Sequence, residues 1–77
     1  MKKLNKKQYN DIINLAYLAM NSNPSLRFGQ AVFNVTHDEY PELANSQRGT
    51  ANDCFYHDHK VTQFLDSITE TIIHEPI

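Results

Sequence analysis

The chain has 77 residues, of which 40% are apolar, enough for one small globular domain and too many for a disordered chain. Residues 8–77 carry three basic and nine acidic side chains, a balance of −6 that disfavours nucleic acid as a partner. A single cysteine excludes an intramolecular disulfide, and no apolar run is long enough to span a bilayer. We predict a cytoplasmic, soluble single domain with a flexible basic terminus over residues 1–4.

The first predicted helix begins with clear start signals. Asn5 is suited to cap it, and Gln8 stands at the third helical position, as in a capping box. Apolar residues then recur at three- and four-residue steps, the spacing of one helix face. This face consists of Tyr9, Ile12, Ile13, Ala16, Ala19 and Met20. Leu15 and Leu18 widen it, which predicts contacts from two sides, and Pro24 ends the helix because proline has no backbone donor.

A second helix is predicted to begin at Pro24, with Asn23 as its cap, because proline suits the first helical position. Its apolar residues are Leu26, Phe28, Ala31, Val32, Phe33 and Val35. Gly29 inside this helix costs about 0.5–1 kcal/mol relative to alanine. We therefore expect another backbone or a large ring to pass close to Gly29.

A short third helix is predicted from Pro41 to the Arg48 and Gly49 pair, with proline at its start and glycine at its end. Only Leu43 and Ala44 are clearly apolar in this stretch, so the helix should lie on the surface.

The last helix is predicted to follow Asp58, which is suited to cap it, and to close at Glu75 and Pro76. Its apolar stripe consists of Val61, Phe64, Leu65, Ile68 and Ile72. No alternating run of β-branched residues is long enough for a strand. We predict an all-α fold, a compact bundle of three main helices plus one short helix.

Polar residues at helical spacing form the first candidate site. Arg27, Gln30 and Asn34 fall at i, i+3 and i+7, which predicts one shared helix face. Guanidinium and amide donors on such a line can hold a carboxylate or phosphate. In the alternative, Arg27 pairs with Asp53 or Asp58 and the amides satisfy the irregular loop before the last helix. The candidate ligand- or partner-binding residues are Arg27, Gln30, Asn34, Asp53, Tyr56 and Asp58.

Metal binding and catalysis receive little support. Cys54, His57 and His59 form a C-x2-H-x-H pattern that His37 could complete, but the paired arms usual for zinc are missing. Cys54 beside a histidine meets the needs of nucleophilic catalysis by residue type alone. A domain of this size also leaves little volume for an enclosed substrate pocket. We predict no metal, no cofactor and no enzymatic activity.

Two surface features are consistent either with a structural role or with binding to a partner. Tyr17 falls off the main apolar face of the first helix, and exposed tyrosines are favoured at protein interfaces. Asp38, Glu39 and Glu42 cluster just before and within the short helix. Their placement suits the dipole of that helix, and it could equally present an acidic patch to a basic partner.

Two stretches, residues 24–30 and 53–58, anchor a resemblance to small uncharacterised proteins common in bacteriophage and prophage genomes. The pattern of the group runs P-x-L-R-F-G-Q, an asparagine, D-P-E-L-A, R-G-T and D-x-F-Y-x-D before a final helix with F-L, and the match covers about residues 24–65. The chain departs from the group at Tyr40 before Pro41 and at Cys54, where the group more often has proline. The matching residues are Pro24, Leu26, Arg27, Phe28, Gly29, Gln30, Asn34, Pro41, Glu42, Leu43, Ala44, Arg48, Gly49, Thr50, Asp53, Phe55, Tyr56, Asp58, Phe64 and Leu65. The resemblance implies a small helical protein of phage origin, in the host cytoplasm, and brings no biochemical activity with it.

Three functional hypotheses follow. In the leading one, a non-enzymatic binding module engages a host protein, for example as an inhibitor of a defence system. In the second, the polar residues bind a small anionic or nucleotide-like ligand. A DNA-binding regulator comes third, because a helical domain with a proline-marked turn resembles helix-turn-helix proteins, but few basic residues are in place. Tyr17 or Leu18 could also face a second copy in a homo-oligomer.

Overall fold

The computed structural model describes residues 2–70. They form four α-helices, and a 3-10 turn Asp58–Lys60 precedes the last of them. The helices are α1 Lys6–Ser22, α2 Phe28–Glu39, α3 Pro41–Gln47 and α4 Val61–Ser67. The all-α prediction is confirmed, although α3 and α4 have seven residues each, so that two helices are short instead of one. Within residues 2–70, β pairing is limited to one isolated parallel bridge between Leu4 and Thr69.

Helix α1 begins with the predicted capping box. The Asn5 side chain accepts a hydrogen bond from the Gln8 backbone N–H at 2.8 Å, and the Gln8 side chain accepts one from the Asn5 N–H at 2.9 Å. Ile12 and Ala16 are buried on the side that packs against α2. The prediction of contacts from two sides is wrong within the described chain, because Leu15 and Leu18 are 39% and 60% exposed.

Helix α2 begins at Phe28, four residues later than predicted. Asn23 does not cap it: its side chain accepts from the Ser25 N–H at 3.2 Å, and its carbonyl accepts from the Leu26 N–H at 3.0 Å. Both bonds close a turn over Pro24 and Ser25. Asparagine side chains often bond two residues onward in this way, in competition with helix formation.

The end of the described chain corrects two predictions. Helix α4 ends at Ser67, and the next residues run beside Leu4: the Leu4 N–H donates to the Ile68 carbonyl at 2.8 Å, and the Glu70 N–H donates to the Leu4 carbonyl at 2.9 Å. Leu4 is 1% exposed. It therefore belongs to the core and not to a flexible terminus. The predicted helical positions Ile72, Glu75 and Pro76 lie outside the described residues.

The core lies between α1, α2 and α4, and α3 closes one side of it. Thr36 and Thr69 are buried among apolar side chains, and their hydroxyls donate to the carbonyls of Val32 and Leu65, four residues earlier in each case. Such bonding removes the cost of burying a hydroxyl. The apolar core is Leu4, Ile12, Ala16, Ala31, Val32, Phe33, Leu43, Ala44, Cys54, Val61, Phe64, Leu65 and Ile68. Between residues 2 and 70, no helix is both long and apolar enough to cross a membrane.

Candidate functional site

The two sequence stretches meet where the first turn of α2 packs against the segment before α4. The Gly29 N–H donates to Asp58 Oδ1 at 2.9 Å. A Cβ atom on Gly29 would overlap the carbonyl oxygen of Cys54, and it would stand 3.1 Å from that same Asp58 oxygen. The predicted close approach to Gly29 is therefore confirmed. Asp58 caps α2 from a distant part of the sequence, whereas the prediction that it caps its own helix is wrong, because α4 has no side-chain cap.

Arg27 lies outside α2, at its N-cap position, with extended backbone angles. Its guanidinium stands 3.6 Å from the second carboxylate oxygen of Asp58, and the two side chains are 69% and 41% exposed. A pair this open to water contributes little stability. Of the two predicted partners, Asp58 is the one that Arg27 contacts, which leaves an incoming anion to compete with a carboxylate already in place.

The other two members of the polar stripe, Gln30 and Asn34, lie within α2 and differ in burial. Gln30 is half-buried in α2 and Asn34 is exposed one turn later, while Arg27 precedes the helix. Between residues 2 and 70, neither amide side chain makes a hydrogen bond, so the prediction that they satisfy the loop after α3 is wrong there. Gln30 and Asn34 are four positions apart in α2 and so share one helix face, with Arg27 at the N-cap before them.

Other side chains hold the loop after α3 in place. Asp53 accepts from the N–H groups of Gly49 at 2.7 Å and Phe55 at 2.9 Å, one with each carboxylate oxygen. Asn52 donates to the Gln47 side chain at 3.1 Å and accepts from Gln63 at 2.6 Å. Asp53 is thus engaged in closing a turn. The role of Gln63 escaped the sequence analysis, since its partner lies eleven positions away on a loop of undefined shape.

Cys54 is fully buried behind Gly29. Its thiol donates to the Gly29 carbonyl at 3.4 Å. Burial raises the pKa of the Cys54 thiol to about 12, with a further contribution from the negative charge of Asp53. The thiol is therefore protonated at neutral pH, and the protonated form is a poor nucleophile and a poor metal ligand.

The three histidines of the candidate metal pattern lie nearer the surface than the buried Cys54. His57 and His59 are exposed, and their ring centroids are 5.6 Å apart. His37 stacks on Phe33 at 6.5 Å, in α2. Within residues 2–70, histidine, cysteine and acidic side chains form no group of three that could hold a metal ion.

A series of aromatic rings runs from the core to Tyr56. Phe64 is buried and contacts Phe33 at 5.5 Å between centroids; Phe33 meets the edge of Phe55 at 5.7 Å, and Phe55 meets Tyr56 at 4.7 Å. Edge-to-face contacts of this kind add about 0.5–1.5 kcal/mol to simple burial. Tyr56 at the outer end is 77% exposed. The Tyr56 ring contacts Phe55 and is otherwise mostly exposed to solvent.

Arg48 lies beside this series and covers Phe33. Its guanidinium carbon stands 5.2 Å from the centre of the Phe33 ring, and its Nε donates to Asn45 at 3.2 Å. The side chains of Phe33, Arg48, Phe55 and Tyr56, called here the Tyr56 surface, border a depression of about 220 Å³ together with Gly49 and Asp53. Sequence analysis placed Tyr56 in the candidate site but not Arg48, whose position over Phe33 depends on how the end of α3 packs beside α2.

A second exposed aromatic lies on α1. Tyr17 is 52% exposed and stacks on Phe28 of α2, with centroids 5.3 Å apart and ring planes 15° from parallel. Leu18 beside it is 60% exposed.

Comparisons with protein-family models, with curated proteins and with solved structures gave no match to this chain.

Proposed function

We propose that this protein is a non-enzymatic binding module that engages a protein partner through the Tyr56 surface. The observation that carries the proposal is the exposure of Tyr56, 77%, at the end of an aromatic series anchored in the core. A ring so exposed in a chain of this size contributes little to folding, and interfaces use tyrosine and arginine as their main energetic anchors.

Preorganisation supports the same proposal. Phe55 contacts the Tyr56 ring edge to face, and Arg48 lies over the Phe33 ring and donates to Asn45, contacts that restrict both side chains. Binding therefore orders few side chains, and each immobilised side chain that need not be ordered saves about 0.5–1.5 kcal/mol on association. Flat aromatic and guanidinium groups around a shallow depression suit a protein surface better than an enclosed small molecule.

A host protein is the partner we propose, with inhibition of a defence system as one such role. This part of the proposal rests on the sequence resemblance to small phage and prophage proteins. The negative balance of residues 8–77 also suits a partner with a basic surface.

The small-ligand alternative has weaker support from the geometry. The Asp58 carboxylate already faces the Gly29 N–H and Arg27, and Asp53 accepts two backbone bonds. An anion at Arg27 would meet the negative charge of Asp58. The DNA-binding alternative is weaker still, because Arg27 lies outside α2 and the last turn of that helix carries two acidic residues.

Photo-crosslinking in host cells tests the proposal directly. A benzoylphenylalanine at position 56 is compared with the same residue at position 62, which is exposed on α4. We expect a discrete covalent adduct with one host protein from position 56 and none from position 62. The purified pair should then lose affinity by about tenfold or more with Tyr56→Ala and with Arg48→Ala. Equal adducts from both positions, or unchanged affinity in both variants, would refute the proposal.

A further inference from the structure

Tyr40, the residue that joins α2 to α3, lies between two shallow depressions. One, of about 260 Å³, opens between α1 and the end of α2; the other, of about 210 Å³, opens over the start of α3. The first is lined by Gln8, Asp11, Ile12, Asn14, Leu15, Glu39 and Tyr40. The second is lined by Lys2, Tyr40, Pro41, Glu42 and Leu43. These depressions, called here the Tyr40 groove, share no lining residue with the Tyr56 surface.

The helix dipoles account for only one of the three acidic side chains at or near this groove. Glu42 lies in the first turn of α3, where a negative charge is favourable, but Asp38 and Glu39 lie in the last turn of α2. Carboxylates at the C-terminal end of a helix oppose its dipole. The sequence-based account of this cluster therefore holds for Glu42 only, and Asp38 and Glu39 are placed against the preference of their own helix.

The charges around the groove are unevenly balanced. Asp11 is paired with Lys7 at 2.9 Å, a hydrogen bond that raises the pKa of the Lys7 ammonium. Lys2 lines the α3 side together with Glu42. Glu39 has no ion-pair partner within residues 2–70, and it lines the α1 side beside the 39% exposed Leu15. A cation is thus best received on the α1 side and an apolar group on the α3 side, over Pro41 and Leu43.

We propose that the Tyr40 groove docks a basic amphipathic segment of a protein partner. A lysine or arginine of the partner lies along Leu15 and Tyr40 with its charge at Glu39, since the aliphatic stems of these side chains cover apolar surface while their heads pair with carboxylates. An apolar side chain of the same segment occupies the depression over Pro41 and Leu43. This docking site does not rest on the function proposed for the Tyr56 surface.

The probe for this proposal is a synthetic amphipathic peptide of lysine and leucine, with the matching glutamate–leucine peptide as its control. Each is titrated into the full chain and followed by backbone amide chemical shifts. We expect the lysine peptide to shift the resonances of Leu15, Glu39, Tyr40 and Leu43, and its affinity to fall as salt is raised. The glutamate peptide should leave these resonances in place.

Two substitutions that each remove one carboxylate separate local recognition from net charge. Glu39→Gln should weaken binding of the lysine peptide about fivefold, whereas Glu70→Gln, an exposed control, should change it by less than about twofold. The melting temperature of Glu39→Gln should rise, because a charge opposing the α2 dipole is gone. Loss of binding with higher stability cannot come from unfolding. Equal effects of the two substitutions, equal binding of both peptides, or shifts confined to the Tyr56 surface would overturn the proposal.

Discussion

Two regions of the molecule that both include part of residues 53–58 differ sharply: the junction formed by Gly29, Cys54 and Asp58, and the Tyr56 surface. At the junction, the carboxylate of Asp58 meets a backbone N–H, the thiol of Cys54 meets a carbonyl, and no space is left for a Cβ on Gly29. At Tyr56, two residues before Asp58, the ring has one neighbour and is otherwise exposed.

This contrast separates two reasons for which a small protein carries polar and aromatic residues close together. Folding alone accounts for the residues of the junction, because every buried hydrogen-bond donor and acceptor needs a partner and these residues supply them. An exposed, anchored ring is not explained in that way. We therefore assign the proposed partner contact to Tyr56 and Arg48 and a folding role to Gly29, Cys54 and Asp58, and stability measurements can test the division residue by residue.

The largest effect is expected for Gly29→Ala. The new Cβ would overlap the Cys54 carbonyl, which belongs to the backbone and cannot move without displacing the loop. We expect a loss of about 3 kcal/mol in the free energy of unfolding, at the upper end of overpacking effects, measured by urea unfolding followed by circular dichroism. A stable Gly29→Ala protein would show that the junction is not closed.

Gly49→Ala is the matched control for this change. Gly49 has φ of 75°, and nothing lies within 4 Å of the position that a Cβ would take, so the substitution strains the backbone without any clash. Its cost should be about 1 kcal/mol. A larger loss at Gly49 than at Gly29 would reverse the order of importance of the two glycines.

The next effect concerns the cap that Asp58 provides for α2. Asp58→Ala removes the acceptor of the Gly29 N–H and should cost about 1.5 kcal/mol, as for other helix caps. Asp58→Asn keeps an acceptor oxygen and should cost less. Arg27→Ala removes only an exposed partner of Asp58 and should cost less than about 0.5 kcal/mol. If thermal unfolding places Arg27→Ala level with Asp58→Ala, the ion pair and not the cap holds the junction.

A pH dependence follows from the buried thiol of Cys54. Its pKa rises from an ordinary value near 9 to about 12 on folding, so above pH 9 the unfolded chain loses a proton that the folded chain keeps. The stabilisation is complete below the ordinary value and is lost as pH rises, by about 1 kcal/mol between about pH 8 and pH 10.

Cys54→Ala tests this origin, because its unfolding free energy should fall less over the same interval. Burial, aided by the charge of Asp66, also raises the pKa of Tyr9. Ionisation of Tyr9 in the unfolded chain also lowers the free energy of unfolding above the ordinary pKa of tyrosine near 10. The two proteins are therefore compared only up to pH 10. Parallel pH profiles for the two proteins would remove Cys54 as the cause.

Local signals predicted the features whose partners lie within a few residues. The capping box of Asn5 and Gln8 is of this kind, and so is the start of α3 at Pro41. Gly29 is intermediate: its cost in a helix predicted a close neighbour, but nothing in the pattern identified Cys54 as that neighbour.

Features that depend on distant contacts were not predictable in the same way. Asp58 has the signature of a cap for the helix that follows it, yet its carboxylate reaches the start of α2, 29 positions earlier. The apolar stripe of α4 continues through Ile68, but pairing of residues 68–70 with Leu4 ends the helix at Ser67. Arg48 belongs to the candidate site only because the end of α3 packs beside α2, where its guanidinium lies over Phe33.

The smallest effect on stability is expected at Tyr56, where the effect on binding should be largest. Tyr56→Ala loses one edge-to-face contact of a mostly exposed ring and should cost about 0.5 kcal/mol. Phe55→Ala, one residue earlier and partly buried against Phe33, should cost about 2 kcal/mol or more. Removing the side chain of an interface anchor lowers the affinity for the partner and leaves the fold intact, whereas removing a core side chain lowers both affinity and stability. If Tyr56→Ala unfolds as easily as Phe55→Ala in urea, the ring is part of the core, and the reason for placing a partner there is gone.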